Sequence, residues 1–154
     1  MGELNVGDKA PDFRLGTNEG DASLSGFAGR PLVLYFYPKD DTSGCTKQAI
    51  AFTERKADFD RLGATILGVS RDSLESHRKF QDKYSIAFPL GADPEGEVCE
   101  RYGVWVEKSM YGRKYMGIER STFLIDKEGV VRRIWRKVKV PGHADEVLSA
   151  VKGL

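Results

Sequence analysis

The chain holds two cysteines, Cys45 and Cys99, and they sit in different contexts. Cys45 follows the polar stretch Lys39-Asp40-Asp41-Thr42-Ser43-Gly44, which itself follows an apolar run closed by Pro38. Downstream, Ala49, Phe52, Phe59 and Leu62 recur at near-helical spacing. Cys45 therefore falls at a strand–loop–helix junction, at the start of a helix. Backbone N–H groups there lack intrahelical partners, and the macrodipole adds partial positive charge. Both favour thiolate, the form of cysteine that attacks electrophiles. Thr42 can offer a hydroxyl within reach of the same sulfur, Pro38 can shield it from bulk water, and Gly44 permits close approach of a small ligand. The competing reading is a small apolar residue filling space beside a helix start. The polar loop before Cys45 argues against it.

Cys99 is flanked by Val98 and Tyr102 within a short helical segment, and a packed, inert thiol is the expectation there. Neither a CxxC pair nor a zinc-type cluster is present, which disfavours a dithiol–disulfide oxidoreductase and predicts no metal. His77 reads as a surface or half-buried helix residue with no acid beside it, and His143 as a helix-entry residue after Pro141-Gly142. The carboxylates are scattered, with no pair suited to glycosidase or metal chemistry.

Several elements must hold Cys45 in place. Leu32 to Tyr37 is a continuous apolar and aromatic run, as expected of a strand buried on both faces, and Pro38 ends it. A helix is predicted from Cys45 to Leu62, stopped by Gly63, followed by a strand over Ala64 to Val69. Ser73 caps a second helix through Tyr84. Asp93, with Pro94 at the first position, opens a third short helix through Tyr102. Phe13–Leu15 and Ala22–Leu24 form an N-terminal hairpin. Ser121–Ile125 and Val130–Trp135 pair antiparallel around Asp126 to Gly129, and a last helix covers Ala144 to Lys152. Trp105 to Met116 is read as an irregular segment whose Met110, Tyr111, Tyr115 and Met116 either pack locally or line a substrate or docking face. Strands alternating with helices require a covered central sheet, and the late hairpin makes it mixed. The predicted fold is α/β and thioredoxin-like, with a central mixed sheet flanked by helices and an N-terminal hairpin extension.

Length and charge narrow the class further. The 154 residues, 40% apolar and 31% charged, predict one domain over 1–154. Net charge is 24 − 23 = +1 with the signs mixed, which gives no bulk attraction to nucleic acid or an anionic membrane. Arg132, Arg133, Arg136, Lys137 and Lys139 alternate with apolar residues, as on the solvated face of a strand. No stretch reaches a membrane span or a signal core, and Val6 spoils the myristoylation pattern that Met1-Gly2 would begin. A cytoplasmic protein in a reducing compartment is the expectation.

The segment Tyr35-Phe36-Tyr37-Pro38-Lys39-Asp40-Asp41-Thr42-Ser43-Gly44-Cys45-Thr46 resembles the peroxiredoxin active-site segment, with Pro38, Thr42 and Cys45 at the matching positions. The similarity is closest to the bacterioferritin-comigratory-protein, or Q-type, subfamily. It continues through Gly68-Val69-Ser70, Ser76-His77, Phe88-Pro89-Leu90, Tyr102 to Trp105 and Gly117 to Asp126. The resemblance implies a thioredoxin fold, reduction of hydrogen peroxide and alkyl hydroperoxides, and no cofactor. It makes Cys45 the peroxidatic cysteine, Thr42 a peroxide-binding residue, Pro38 a shield and Arg120 the second, cation-bearing catalytic residue. A guanidinium keeps its proton and can bond both thiolate and peroxide. Taken without the resemblance, Arg120 reads as a strand-end arginine paired with Glu119 or Asp126.

Four positions depart from the family pattern. Ser43 stands where proline is common and Gln48 where glutamate is frequent. The two usual resolving-cysteine positions hold Ile50 and Gln81. The implied mechanism is one-cysteine, with thioredoxin or another small thiol or dithiol reducing Cys45 directly. A redox-sensing or holdase role for Cys45 oxidation is the alternative.

Overall fold

The computed structural model describes residues 3–154; the Met1-Gly2 reading lies outside them. Its main sheet has seven strands: β1 (Arg14–Thr17), β2 (Gly20–Ser23), β3 (Leu32–Phe36), β4 (Thr65–Ser70), β5 (Leu90–Ala92), β8 (Ser121–Ile125) and β9 (Val131–Trp135). They lie in the order β2-β1-β5-β4-β3-β8-β9. β3, β4 and β5 are parallel neighbours, and β8 runs antiparallel to β3 and β9. This is the mixed, helix-flanked sheet expected from the sequence.

β3 is central, and alternation along it divides the interior into two cores. Val33, Tyr35 and Tyr37 face α1 (Ser43–Glu54), α2 (Lys56–Arg61), α3 (Leu74–Tyr84) and α5 (His143–Lys152). Leu32, Leu34 and Phe36 face α4 (Glu97–Arg101) and the N-terminal segment around Ala10 and Phe13.

Several elements differ from expectation. The helix predicted over Cys45 to Leu62 starts two residues earlier and breaks at Arg55. The break falls in the longest gap of its apolar stripe, between Phe52 and Phe59, both fully buried; Leu62 is instead 37% exposed. The third helix begins at Glu97, not Pro94. Asp93 still serves it from a distance, accepting from Val98 N at 3.3 Å and Cys99 N at 2.8 Å. The N-terminal hairpin extension is present as expected, and it joins the main sheet because β1 pairs with β5.

The segment read as irregular is a regular hairpin. β6 (Trp105–Met110) and β7 (Arg113–Ile118) pair antiparallel in a second, two-stranded sheet. Its two-residue turn, Tyr111-Gly112, has φ of 51° and 78°. A tyrosine at the first left-handed position replaces the usual Asn or Asp, which hides the turn signal. Tyr111 is 98% exposed, and Met110, Tyr115 and Met116 are also exposed. No helix of the described residues is long and apolar enough to cross a membrane.

His143 opens α5 as expected but is buried, with Nε2 2.8 Å from Thr122 Oγ1. Phe52 and Trp135 pack against it with their ring planes nearly perpendicular to the imidazole. Burial above all, with Arg120 assisting and Glu146 opposing, pulls its pKa down to about 4. An unfolded histidine titrates near ~6.5, so the unfolded chain takes up this proton first as pH falls. Stability from neutral His143 is complete above pH ~6.5 and is lost as pH falls toward about 4. His143→Asn is expected to flatten the fall of Tm between pH 7 and pH 4.5 relative to the parent chain; parallel melting curves would contradict that assignment.

Candidate active site

Cys45 occupies the first turn of α1, 2% exposed. The N-cap is Thr42, with φ −91° and ψ 158°, yet its side chain makes no cap bond. Its hydroxyl donates instead to Lys39 O at 2.9 Å. The first backbone bond of the helix is Thr46 N to Thr42 O at 2.9 Å. The amides of Ser43, Gly44 and Cys45 are therefore free of helical partners. A capping threonine usually satisfies one of them, worth ~1 kcal/mol. Here the donors stay available to an incoming oxygen, and the Thr42 oxygen can accept from a ligand hydroxyl. The expected contact of Thr42 with the sulfur is thus replaced, in this state, by a bond within its own loop.

Arg120 reaches the sulfur through strand pairing. Phe36 at the end of β3 faces Ser121 at the start of β8, so the residue before β8 lies beside the active-site loop. Arg120 Nη2 donates to Cys45 Sγ at 3.4 Å and Nη1 to Gln48 Oε1 at 2.6 Å. The guanidinium pairs with neither Glu119 nor Asp126 among the described residues. Gln48 is 1% exposed, and as a neutral amide it orients the guanidinium without cancelling its charge. A Cβ on Gly44 would stand 3.0 Å from Nη2, so the absent side chain lets the cation lie over the helix start.

Pro38 is half-buried just beyond β3, after Tyr37 N makes the last ladder bond to Val69 O at 3.0 Å. Tyr35 lies beneath the site; burial first, then the charge of Cys45, pushes its phenol well above the ordinary range.

His77 corrects the sequence reading, because it is fully buried and an acid does stand beside it. Its Nδ1 is 2.7 Å from Asp40 Oδ2 and its Nε2 2.9 Å from Gly91 O. A carbonyl only accepts, so Nε2 carries a proton. Asp40 also accepts from Tyr37 Oη at 2.6 Å and Ser76 Oγ at 2.7 Å. The missed signal was the spacing of His77, Phe80 and Tyr84, which puts the histidine on the apolar face of α3.

The sequence pattern of the AhpC/TSA family matches residues 6–134. The chain is 50% identical over 147 residues to the putative peroxiredoxin bcp of Coxiella burnetii, covering 95% of this chain and 97% of that one. It is 47% identical to peroxiredoxin Bcp of Bacillus subtilis, covering 98% and 97%. Among solved structures, a cysteine-to-serine mutant of Xylella fastidiosa PrxQ superposes with TM-score 0.93 at 40% identity, covering 99% and 98%. Xanthomonas campestris bacterioferritin comigratory protein, studied for alkyl peroxide reduction, matches with TM-score 0.87 at 49% identity, covering 92% and 90%.

The chain belongs to the AhpC/TSA family. It falls among the Bcp, or Q-type, peroxiredoxins, which are thioredoxin-fold thiol peroxidases.

This peroxiredoxin keeps its second thiol far from the first in chemical terms. Cys45 belongs to the core on the α1 face of the sheet and Cys99 to the core on the α4 face. Burial first, then the bond to Asp93, pushes the Cys99 thiol well above its ordinary range, which leaves it a poor nucleophile. Ile50 lies exposed on α1, and Gln81 donates to Glu19 at 3.0 Å and to Phe88 O at 3.3 Å.

Arg120→Ala is expected to leave a folded protein whose Cys45 is oxidised ~10²–10³ more slowly, the usual cost of one oriented donor at developing charge. Gly44→Val, which crowds both the guanidinium and the approach to the helix start, is expected to slow the same step. Stopped-flow oxidation by hydrogen peroxide measures both, and parent-like rates would remove Arg120 from the reaction.

Proposed function

We propose that this peroxiredoxin reduces hydrogen peroxide and alkyl hydroperoxides through a sulfenic acid at Cys45, by a one-cysteine mechanism. The observation that carries the reading is the guanidinium 3.4 Å from a cysteine sulfur at an uncapped helix start. The Cys45 thiolate attacks the terminal peroxide oxygen, the O–O bond breaks, and the departing RO⁻ takes up a proton. Cys–S⁻ + ROOH + H⁺ gives Cys–SOH + ROH. Thr42 accepts a bond from the peroxide hydroxyl, while Arg120 and the amides of Gly44 and Cys45 stabilise charge growing on the leaving oxygen. Pro38 shields the pocket from bulk water.

An external thiol, thioredoxin or a smaller one, then returns Cys45 to thiolate. Cys99 lies across the sheet, and a disulfide needs Cα atoms within about 7 Å with sulfurs pointing together. We place the protein in a reducing cytoplasm, where a lone peroxidatic thiol is kept reduced.

Cys45→Ser is expected to abolish peroxide consumption, since a hydroxyl stays protonated. Cys99→Ser is expected to keep most of it with an added thiol. After one equivalent of peroxide, mass spectrometry is expected to find a dimedone adduct at Cys45 and a free Cys99. A Cys45–Cys99 disulfide, with loss of turnover in Cys99→Ser, would overturn the one-cysteine mechanism.

A further inference from the structure

Beside the active site runs an open groove of about 450 Å³ between the β6–β7 hairpin and the segment after β9. Its walls include Val106, Lys108, Tyr115, Arg120, Lys137 and Val138. Arg120 is shared: one edge of its guanidinium is 3.4 Å from Cys45 Sγ, and the residue also lines the groove. A ligand in the groove is thus one guanidinium away from the sulfur.

Two lysines flank this opening, and neither is in an ion pair among the described residues. The stem of Lys108 lies across Gly117 on the facing strand, where a Cβ would stand 3.2 Å from Cδ. That packing aims the partly buried lysine into the groove. Burial first, then the positive charge of Arg120, lowers its pKa, and Cys45 opposes the shift. Lys108 therefore feels both groups of the reaction centre. Lys137 is held at φ 49°, a conformation that L side chains rarely adopt, and the next amide, Val138 N, donates to Arg120 O at 3.0 Å. Two carboxylates also line the groove, Glu107 and Glu119, and Glu107 already has Lys114 at 3.6 Å. Cations exceed anions.

The charge balance changes during turnover. In the proposed reaction the attacking form of Cys45 is the thiolate, which faces this cluster. Oxidation converts thiolate to neutral sulfenic acid, and Gln48 supplies no charge in its place. The cations are then least compensated at the moment when the reductant must enter. The sulfur is also deeply set, since Cys45 is 2% exposed.

We propose that this groove binds a low-molecular-weight thiol bearing carboxylates, and that Lys108 and Lys137 steer it onto oxidised Cys45. The proposal rests on the one-cysteine reading above. The steps balance: Cys–SOH + RSH gives Cys–S–S–R + H₂O. A second thiol then gives Cys–S⁻ + RSSR + H⁺.

The test oxidises the whole protein with one equivalent of hydrogen peroxide and then adds 3-mercaptopropionate, 2-mercaptoethanol or cysteamine. Quenching with dimedone at successive times counts the remaining sulfenic acid, with each rate corrected for the thiolate fraction of its thiol. Charge focusing in clefts changes encounter rates by about 10–10³, so the anionic thiol is expected to exceed the neutral one at least tenfold at low salt, with the cationic thiol slowest. Added salt is expected to shrink that ratio. Lys108→Met and the exposed Lys137→Met are each expected to shrink it too, as is Gly117→Val, which keeps every charge but displaces the Lys108 stem. A ratio near one in the parent protein, or one unmoved by both lysine variants, overturns the proposal. So does a charge preference found only with a carboxylate-bearing hydroperoxide in the oxidation step. Absence of any trappable sulfenic acid at Cys45 would instead strike the underlying peroxidase reading, and the first dimedone time point separates the two failures.

Discussion

The contact between the Arg120 guanidinium and the Cys45 sulfur governs the arrangement of everything around it. It joins two segments 75 positions apart, and only the antiparallel pairing of β3 with β8 brings them together. β3 must be central and buried on both faces to deliver the loop that carries Cys45. β8 must begin opposite the end of β3 to deliver Arg120 to the same edge. Gly44 and Gln48 then fit the guanidinium between helix and strand, one by lacking a side chain and the other by accepting a bond at 2.6 Å. A carboxylate at Gln48 would also accept that bond but would neutralise much of the cation. The neutral amide leaves more positive charge facing the sulfur and the groove.

The same central strand keeps the two thiols apart. Alternating residues of β3 belong to opposite cores, and each cysteine sits in one of them. At its own helix start the Cys99 amide donates to Asp93 Oδ2 at 2.8 Å, and that carboxylate repels an anionic sulfur. A helix N-terminus is therefore not sufficient to make a cysteine reactive. Cys45 has a nearby cation and unused amides, whereas at Cys99 the anion Asp93 outweighs the more weakly felt Arg71.

Much of this was legible in the sequence because it rests on local patterns. The run Leu32 to Tyr37, closed by Pro38, marked the central strand, and the polar loop before Cys45 marked the helix start. Arg120 was legible only through family resemblance, since no local pattern tells which strand-end arginine folds back onto a sulfur. The β6–β7 hairpin escaped because Tyr111 occupies a left-handed position that Asn or Asp normally signals. β5 escaped because three residues are too few for periodicity. The break at Arg55 lies in a polar stretch where a helix continues or bends according to the packing of Phe52 and Phe59. His77 was misjudged for a different reason. Its partner Asp40 is 37 positions away, and a polar residue on an apolar face looks exposed until its partner is known.

That buried network explains how an uncapped helix start can stay ordered. The loop before Cys45 gains little from its own helix, since Thr42 withholds its hydroxyl from the first-turn amides. It is fastened to the rest of the fold instead. Asp40 binds α3 through Ser76 and His77, and its amide donates to Asp72 Oδ2 at 2.8 Å. Asp41, held at φ 57°, accepts from Lys83 Nζ at 2.8 Å and Tyr84 Oη at 2.6 Å, which draws its carboxyl pKa down. Adjacent carboxylates thus grip one helix near both of its ends, about two turns apart. Fixing the loop from that side removes the need for a cap and leaves the Ser43, Gly44 and Cys45 amides unspent. Donors held in place yet unpaired before substrate arrives require little reorganisation during reaction, which is the physical basis of preorganised catalysis.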